Sequence, residues 1–344
     1  MRSTTKRMLL SAVLGAGFYA AARTAVAISR RYDFRNRLVV ITGGSRGLGL
    51  LMARRLAAEG AAIVICAREA EELDKAASEL RLHAPFVAAY VCDLTQPPDV
   101  QSLFERIHRE IGPVDVLINN AGIIQVGPVE TMTLADYHQA MAIHFWAPLL
   151  CIEHVLPDMR RRGEGRIVNI SSIGGEIAVP HLVPYCASKF ALNGLSQGLR
   201  EELLKDGIYV TTVCPGLMRT GSPRHALVKG QHRAEYAWFS IGGALPALSM
   251  SADRAARQII NACRYGRAKL VLSLPAKLAV RVNALAPELT ADINALVARM
   301  LPEPGGVGRA SVKGYHSTSE WSPSFLTALS DRAAERNNEL AAGR

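Results

Sequence analysis

Leu38-Val39-Val40-Ile41-Thr42-Gly43-Gly44-Ser45-Arg46-Gly47-Leu48-Gly49 decides the fold. Its first five residues are apolar and mostly β-branched, a buried strand by length and flanks. The glycines make a turn, and a helical pattern then runs through Leu56 to Glu59. A glycine-rich turn between strand and helix lets backbone N–H groups approach a pyrophosphate, and the helix N-terminus adds a favourable dipole. Glycines alone fit any tight βα turn. The strand–turn–helix context is what the motif requires.

Moving outward, Ala62–Cys66 is the next strand, closed by Ala67-Arg68. An acidic residue at such a strand end binds ribose hydroxyls and selects NAD, whereas an arginine accommodates a 2′-phosphate. No Asp or Glu ends this strand, Arg68 follows it, and Arg46 sits in the turn. Together these favour NADP, although either arginine alone fits a solvated side chain. A helix from about Glu69 to Leu82 leads to the strand Phe86–Val91 and to Asp93, which fits either a turn cap or a carboxylate facing the adenine amino group. A helix near 98–111 and the strand Val114–Ile118 run into Asn119-Asn120-Ala121-Gly122. Small and amide residues at a strand end suit close passage of a cofactor, and ordinary turn chemistry explains them too. Alternating strands and helices of this length predict an α/β fold, a doubly wound parallel sheet in a single domain over 38–275.

Further on, a helix from about Thr133 to Arg162 carries His144, and the strand Arg166–Ser171 delivers Ser172 to a sheet edge. The helix from Pro184 to Lys205 carries Tyr185 and Lys189. Four residues apart, these stack on one helix face. An ammonium near a phenol favours the phenolate and lowers its pKa from about 10. A phenol so tuned exchanges a proton with a carbonyl or carbinol oxygen. The strand Ile208–Cys214 ends in Pro215-Gly216, with Thr220 four residues on.

The chain resembles a short-chain dehydrogenase/reductase of the single-domain branch. The resemblance is carried by Thr42-Gly43-x-x-x-Gly47-x-Gly49, Asp93, Asn119-Asn120-Ala121-Gly122, Ser172, Tyr185-x-x-x-Lys189 and Pro215-Gly216-x-x-x-Thr220. It spans roughly residues 38–275. It implies a Rossmann-type fold, a nicotinamide cofactor and hydride transfer between an alcohol and a carbonyl. Ser172, Tyr185 and Lys189 are the implied catalytic set, with Tyr185 as general acid or base. The cofactor is implied to lie along Thr42, Gly43, Ser45, Arg46, Gly47, Leu48, Gly49, Arg68, Asp93, Asn120, Ala121, Gly122, Tyr185, Lys189, Pro215, Gly216 and Thr220. A homodimer or homotetramer is also implied, often built from the helices carrying His144 and Tyr185. One departure stands out: the family uses an asparagine where this chain has His144. Three roles are open there: a main-chain carbonyl doing the work, an imidazole shuttling protons, or packing alone. It also leaves a second class of function open, an NADP-binding scaffold or sensor with little turnover.

The formal net charge is +10, and +7 of it falls in residues 1–37, where eight basic residues face Asp33 alone. Basicity confined to a terminus does not argue for a nucleic-acid face on the folded domain. Met8 to Ala22 carries no charge and spans about 22 Å as a helix, and continuing to Ile28 reaches about 31 Å. A membrane anchor, a cleaved signal ending near Ala25-Val26-Ala27, and a helix lying in the membrane surface are the three readings, with the anchor preferred. Six scattered cysteines without metal-ligand spacing suit packed free thiols in a reducing compartment, which places the catalytic domain on the cytoplasmic side. Residues 217–250 occupy the place of a substrate lid and mix Met218, Leu227, Tyr236, Trp238 and Phe239, which suggests a lipophilic substrate. Residues 276–301 predict an apolar C-terminal helix broken at Pro287, packed on the domain or lying on the membrane. From 302 to 344 Gly, Pro, Ser and charged residues dominate, which predicts a disordered or loosely docked tail.

Overall fold

The computed structural model describes residues 17–18 and 21–340. Seven parallel strands form the central sheet: β1 Leu38–Thr42, β2 Ala62–Ala67, β3 Val87–Val91, β4 Val116–Asn119, β5 Gly165–Ile170, β6 Ile208–Cys214 and β7 Lys269–Val271. Their order is β7-β6-β5-β4-β1-β2-β3. The order reverses between β1 and β4, so the carboxyl ends of those two strands open the crevice where such sheets bind ligands.

Strand alternation sorts the core into two layers. Val39, Ile41, Ile63 and Ile65 face helices α1 (Gly47–Ala58), α2 (Ala70–Leu80) and, later in the chain, α8 (Ala252–Arg264). Leu38, Val40, Val64 and Cys66 face α3 (Pro97–Glu110) and α5 (Ala147–Arg162) on the other side. Each fully buried aliphatic side chain of this kind contributes about 1.5–3 kcal/mol.

The helix expected from Thr133 to Arg162 is interrupted. α4 (Leu134–Met141) passes through a π-turn at Ala142–Trp146 before α5. The Ala147 N–H reaches back five residues to the Ala142 carbonyl. Pro148 follows, and with no N–H it cannot donate to the His144 carbonyl four residues earlier. Among the described residues this run, 134–162, is the one helix long and apolar enough to cross a membrane. Ile152, Val155 and Met159 are buried against the sheet, which makes it a core helix.

Helix α6 (Val183–Leu203) lies beside α4, and α7 (His232–Ala244) falls in the stretch expected to form a lid, with Tyr236 buried and Trp238 and Phe239 partly so. α9 (Leu274–Leu285) and α10 (Pro287–Ala298) break at the expected Pro287. They leave Leu278, Val282, Leu285, Leu289, Ile293 and Leu296 exposed.

Both ends differ from expectation. The domain begins before residue 38, because Tyr32 and Phe34 are core residues. The Arg264 guanidinium lies over the Phe34 ring, and Arg37 and Arg166 lie over Tyr32. The candidate anchor over 8–28 falls largely outside the described residues; within it, 21–28 are helical, with Val26 and Ile28 exposed. The tail is not disordered between 302 and 340. Val312–Lys313 pairs antiparallel with Leu227–Val228, and α11 (Ala328–Arg336) packs on α7. Polar pairings hold it, such as Ser240 Oγ to Ser322 Oγ at 2.7 Å and His232 Nδ1 to Ser317 Oγ at 3.0 Å. Composition gives no sign of such long-range partners. All six cysteines are buried and free.

Candidate active site and cofactor cleft

The glycine turn is built for close backbone approach. Gly43 has φ +64° and Gly47 φ +56°, the left-handed region that favours glycine. A Cβ on Gly43 would lie 2.9 Å from the Ala121 Cα, and one on Gly49 would run into the Gly43 carbonyl. Thr42 and Asn120 lock this turn to β4. The Thr42 hydroxyl accepts from the Asn120 and Ala121 amides at 2.9 and 3.1 Å. The Asn120 amide nitrogen donates to the carbonyls of Thr42 and Gly43.

A cleft opens above this turn. Ser45, Arg46, Gly47, Leu48, Arg68 and Asp93 line it, with Asn120, Ala121 and Gly122 across from them. Asp93 caps a turn through Oδ1, which accepts from the Thr95 amide and hydroxyl at 3.0 and 2.8 Å. Arg46 is committed to Glu72, with contacts of 2.6 and 2.7 Å, while Arg68 is exposed. The glycine cradle, the arginines and the amide-lined wall fit a dinucleotide.

Beside the Gly122 wall of the cleft, Tyr185 and Lys189 project from one face of α6, with the Lys189 ammonium 5.7 Å from the phenol ring centre. Lys189 is buried and donates to the Ile170 carbonyl at 2.9 Å. Burial lowers its pKa to about 7. Burial likewise pushes the Tyr185 phenol up to about 12, with the Ser172 hydroxyl pulling the other way. The expected lowering by lysine is not found: burial of the phenolate dominates, and the opposing pull comes from the Ser172 hydroxyl. Ser172 Oγ accepts from the Gly174 amide at 3.0 Å, which turns its own proton away from that loop.

His144 is buried beside the Tyr185 ring, edge to face at 5.4 Å. Its Nε2 accepts from the Ile123 amide at 3.2 Å, so Nδ1 carries the proton. Nδ1 then donates to Ser188 Oγ at 2.8 Å, and that hydroxyl donates to the Tyr185 carbonyl at 2.8 Å. Burial and the nearby Lys189 hold its pKa well below 6.5. Both ring nitrogens are thus occupied in a neutral ring. Pro215 and Gly216 lie beside the Ser172 loop: the Pro215 carbonyl accepts from the Ile173 amide at 2.7 Å, and a Cβ on Gly216 would meet Ser273. The Thr220 hydroxyl donates to Ser222 Oγ at 2.9 Å.

Glu72, Lys313 and Glu339 are among the cleft residues that sequence reasoning missed. Glu72 takes Arg46, while Lys313 and Glu339 reach the cleft from the tail. Lys313 is half-buried, its pKa lowered first by burial and then by Arg68 and Arg46. No local pattern marks either tail residue.

The short chain dehydrogenase profile matches residues 37–227. The chain belongs to the short-chain dehydrogenase family. Dehydrogenase/reductase SDR family member 7B of Mus musculus is 32% identical over 293 residues, covering 82% of this chain and 88% of that protein. A metagenomic short-chain oxidoreductase in complex with NADP is 34% identical at a TM-score of 0.52, covering 54% of this chain and 83% of its own. The L-sorbose reductase of Gluconobacter frateurii, complexed with NADPH and L-sorbose, is 25% identical at a TM-score of 0.63, covering 70% and 97%. The chain is thus an oxidoreductase of CH–OH and C=O groups by family.

Proposed function

We propose that this short-chain dehydrogenase is an NADP(H)-dependent reductase of a small lipophilic carbonyl substrate, held at a membrane by its N-terminus. The observation that carries the reading is the grouping of Ser172, Tyr185 and Lys189 beside a glycine-cradled cleft: the Ser172 hydroxyl bonds the Tyr185 phenol, and the Lys189 ammonium lies near both that ring and Gly122 of the cleft wall. The nicotinamide cofactor supplies the hydride. Gly43, Gly47, Gly49, Asn120 and Thr220 hold and border it. Arg68 and Lys313 offer cations for a 2′-phosphate, and Arg46 joins them if it exchanges Glu72 for the phosphate. Tyr185 gives its proton to the substrate oxygen in reduction. A phenol pushed up to about 12 holds its proton at neutral pH, the form that can give it to a substrate oxygen. Ser172 donates to the same oxygen and stabilises the charge developing there. His144 acts as a positioning residue, tying the Ile123 loop to α6. Exposed Trp146 and Phe190 on the helices of the site suit a homodimer or homotetramer built there. The partly buried aromatics of α7 support a lipophilic substrate.

The test is hydride transfer from NADPH and NADH to a panel of ketones. NADPH should bind at least ten-fold more tightly than NADH, about 1.4 kcal/mol. Arg68→Asp should erase that preference, and equal affinities in the parent protein would end the NADP reading. A second reading, a cofactor-binding scaffold or sensor with little turnover, draws on Glu339, whose carboxylate sits in the cleft. Binding of NADPH without turnover of any ketone would favour it.

A further inference from the structure

The end of the tail lies across the glycine turn. The Asn337 carbonyl accepts from the Gly47 amide at 2.9 Å. Asn338 donates its side-chain amide to the Ser45 and Glu72 carbonyls, both at 2.9 Å, and holds φ at +57° to do so. Glu339 then turns inward, and its Oε2 accepts from the Gly221 amide at 2.7 Å. Its Oε1 lies where a Cβ on Gly47 would come within 2.9 Å. The Glu339 carbonyl accepts from His225 Nε2 at 2.9 Å, and Arg54 donates to Asn337 Oδ1 and the Arg336 carbonyl at 3.1 and 3.0 Å. Glu339 is 2% exposed.

The N–H groups of a glycine turn are anion donors. Here the Gly47 amide is spent on a tail carbonyl, and the Gly221 amide, on the facing wall just past Thr220, is spent on a tail carboxylate. A carboxylate makes the same demand on an N–H as a phosphate oxygen does. A cofactor phosphate entering this end of the cleft would compete for the same donors and meet a like charge at short range. We infer that residues 337–339 are an intramolecular competitor of the cofactor, with the Glu339 carboxylate standing where a cofactor phosphate oxygen binds. Cofactor binding then expels the tail, and the tail sets the cofactor concentration at which the enzyme loads. The inference rests on the NADP(H) reading above.

The test compares the full chain, the chain ending at Arg336, and full-length Asn338→Ala, which removes two tail hydrogen bonds and no cleft amide. NADPH dissociation constants are measured by titration calorimetry, and amide hydrogen exchange is followed in the full chain with and without NADPH. The shortened chain should bind NADPH at least ten-fold more tightly and Asn338→Ala several-fold more tightly. Saturating NADPH should speed exchange at 337–340. The exchange readout needs no variant to fold. Equal affinities with unchanged tail exchange would overturn the inference. So would weaker binding by the shortened chain with slower tail exchange, which describes a clasp over bound cofactor. If no chain binds NADPH or NADH, the cofactor reading falls and takes this inference with it.

Discussion

At the residue scale, the chemistry rests on a spacing of four. Tyr185 and Lys189 share a helix face because 3.6 residues make a turn, and that was legible without any structure. The protonation states were not. They depend on burial by β5, β6 and the loops between, and burial sends the phenol up to about 12 and the ammonium down to about 7. His144 is the same case. Its place before the serine strand was readable, but its neutral, doubly bonded ring follows from Ile123 and Ser188, which are 21 and 44 residues away. Tyr185→Phe should therefore lose about 10² to 10⁴ in single-turnover hydride transfer, the usual worth of general acid catalysis. His144→Asn should stay within about ten-fold, ~1.4 kcal/mol of barrier, because an amide side chain also offers one donor and one acceptor. Both are read from the absorbance of the reduced cofactor. Unchanged transfer by Tyr185→Phe would remove the assigned acid.

At the element scale, the strands and helices of 38–275 followed from periodicity, since each buries a regular apolar face. The tail carries no such period, and it folds through scattered polar partners in α1, α7 and the loop after β6. Its docking should depend on pH. Burial raises the Glu339 carboxyl from 4.5 to about 7, while Arg46 and Arg224 pull it down and Glu72 pushes it up. His225, which meets the Glu339 carbonyl, stays neutral because burial lowers it to about 4. An acid whose pKa is raised in the docked state binds its proton more tightly there. Its stabilisation of docking is complete below about 4.5, fades as pH rises towards 7, and is lost above that. Between pH 5.5 and 8 the full chain's handicap in NADPH affinity, relative to the chain ending at Arg336, should shrink by about ten-fold or more. The cofactor 2′-phosphate also titrates, near pH 6, but equally for both chains, so the ratio isolates the tail. A ratio that does not move with pH would mean that Glu339 does not titrate in this range.

At the scale of the whole molecule, the open matter is how the folded domain joins the stretch before it. A boundary at residue 38 looked natural because 1–37 is rich in arginine. Yet two of those arginines are absorbed by the domain. Arg37 pairs with Glu164 at 3.0 Å, and the Arg30 carbonyl receives the Arg166 guanidinium at 2.9 Å, while exposed Arg35 pairs with its neighbour Asp33 at 2.6 Å. Phe34 and Tyr32 fill the core between them. Removing a fully buried phenylalanine ring costs about 3–5 kcal/mol, so Phe34→Ala should lower the denaturation midpoint markedly. A chain starting at Arg30 keeps all of these contacts and drops the apolar run of 8–28. The full chain should sediment with membranes and resist extraction by high salt, because apolar burial is not screened as surface charge is. The chain starting at Arg30 should stay in the supernatant and still bind NADPH. Release of the full chain by salt alone would end the anchor reading. If instead the chain starting at Arg30 also sediments, the exposed Leu278, Val282, Leu285, Leu289, Ile293 and Leu296 of α9 and α10 become the surface responsible. Leu285→Asp with Leu289→Asp in that shorter chain would then have to free it, since a charge on the lipid-facing side of a surface helix opposes burial.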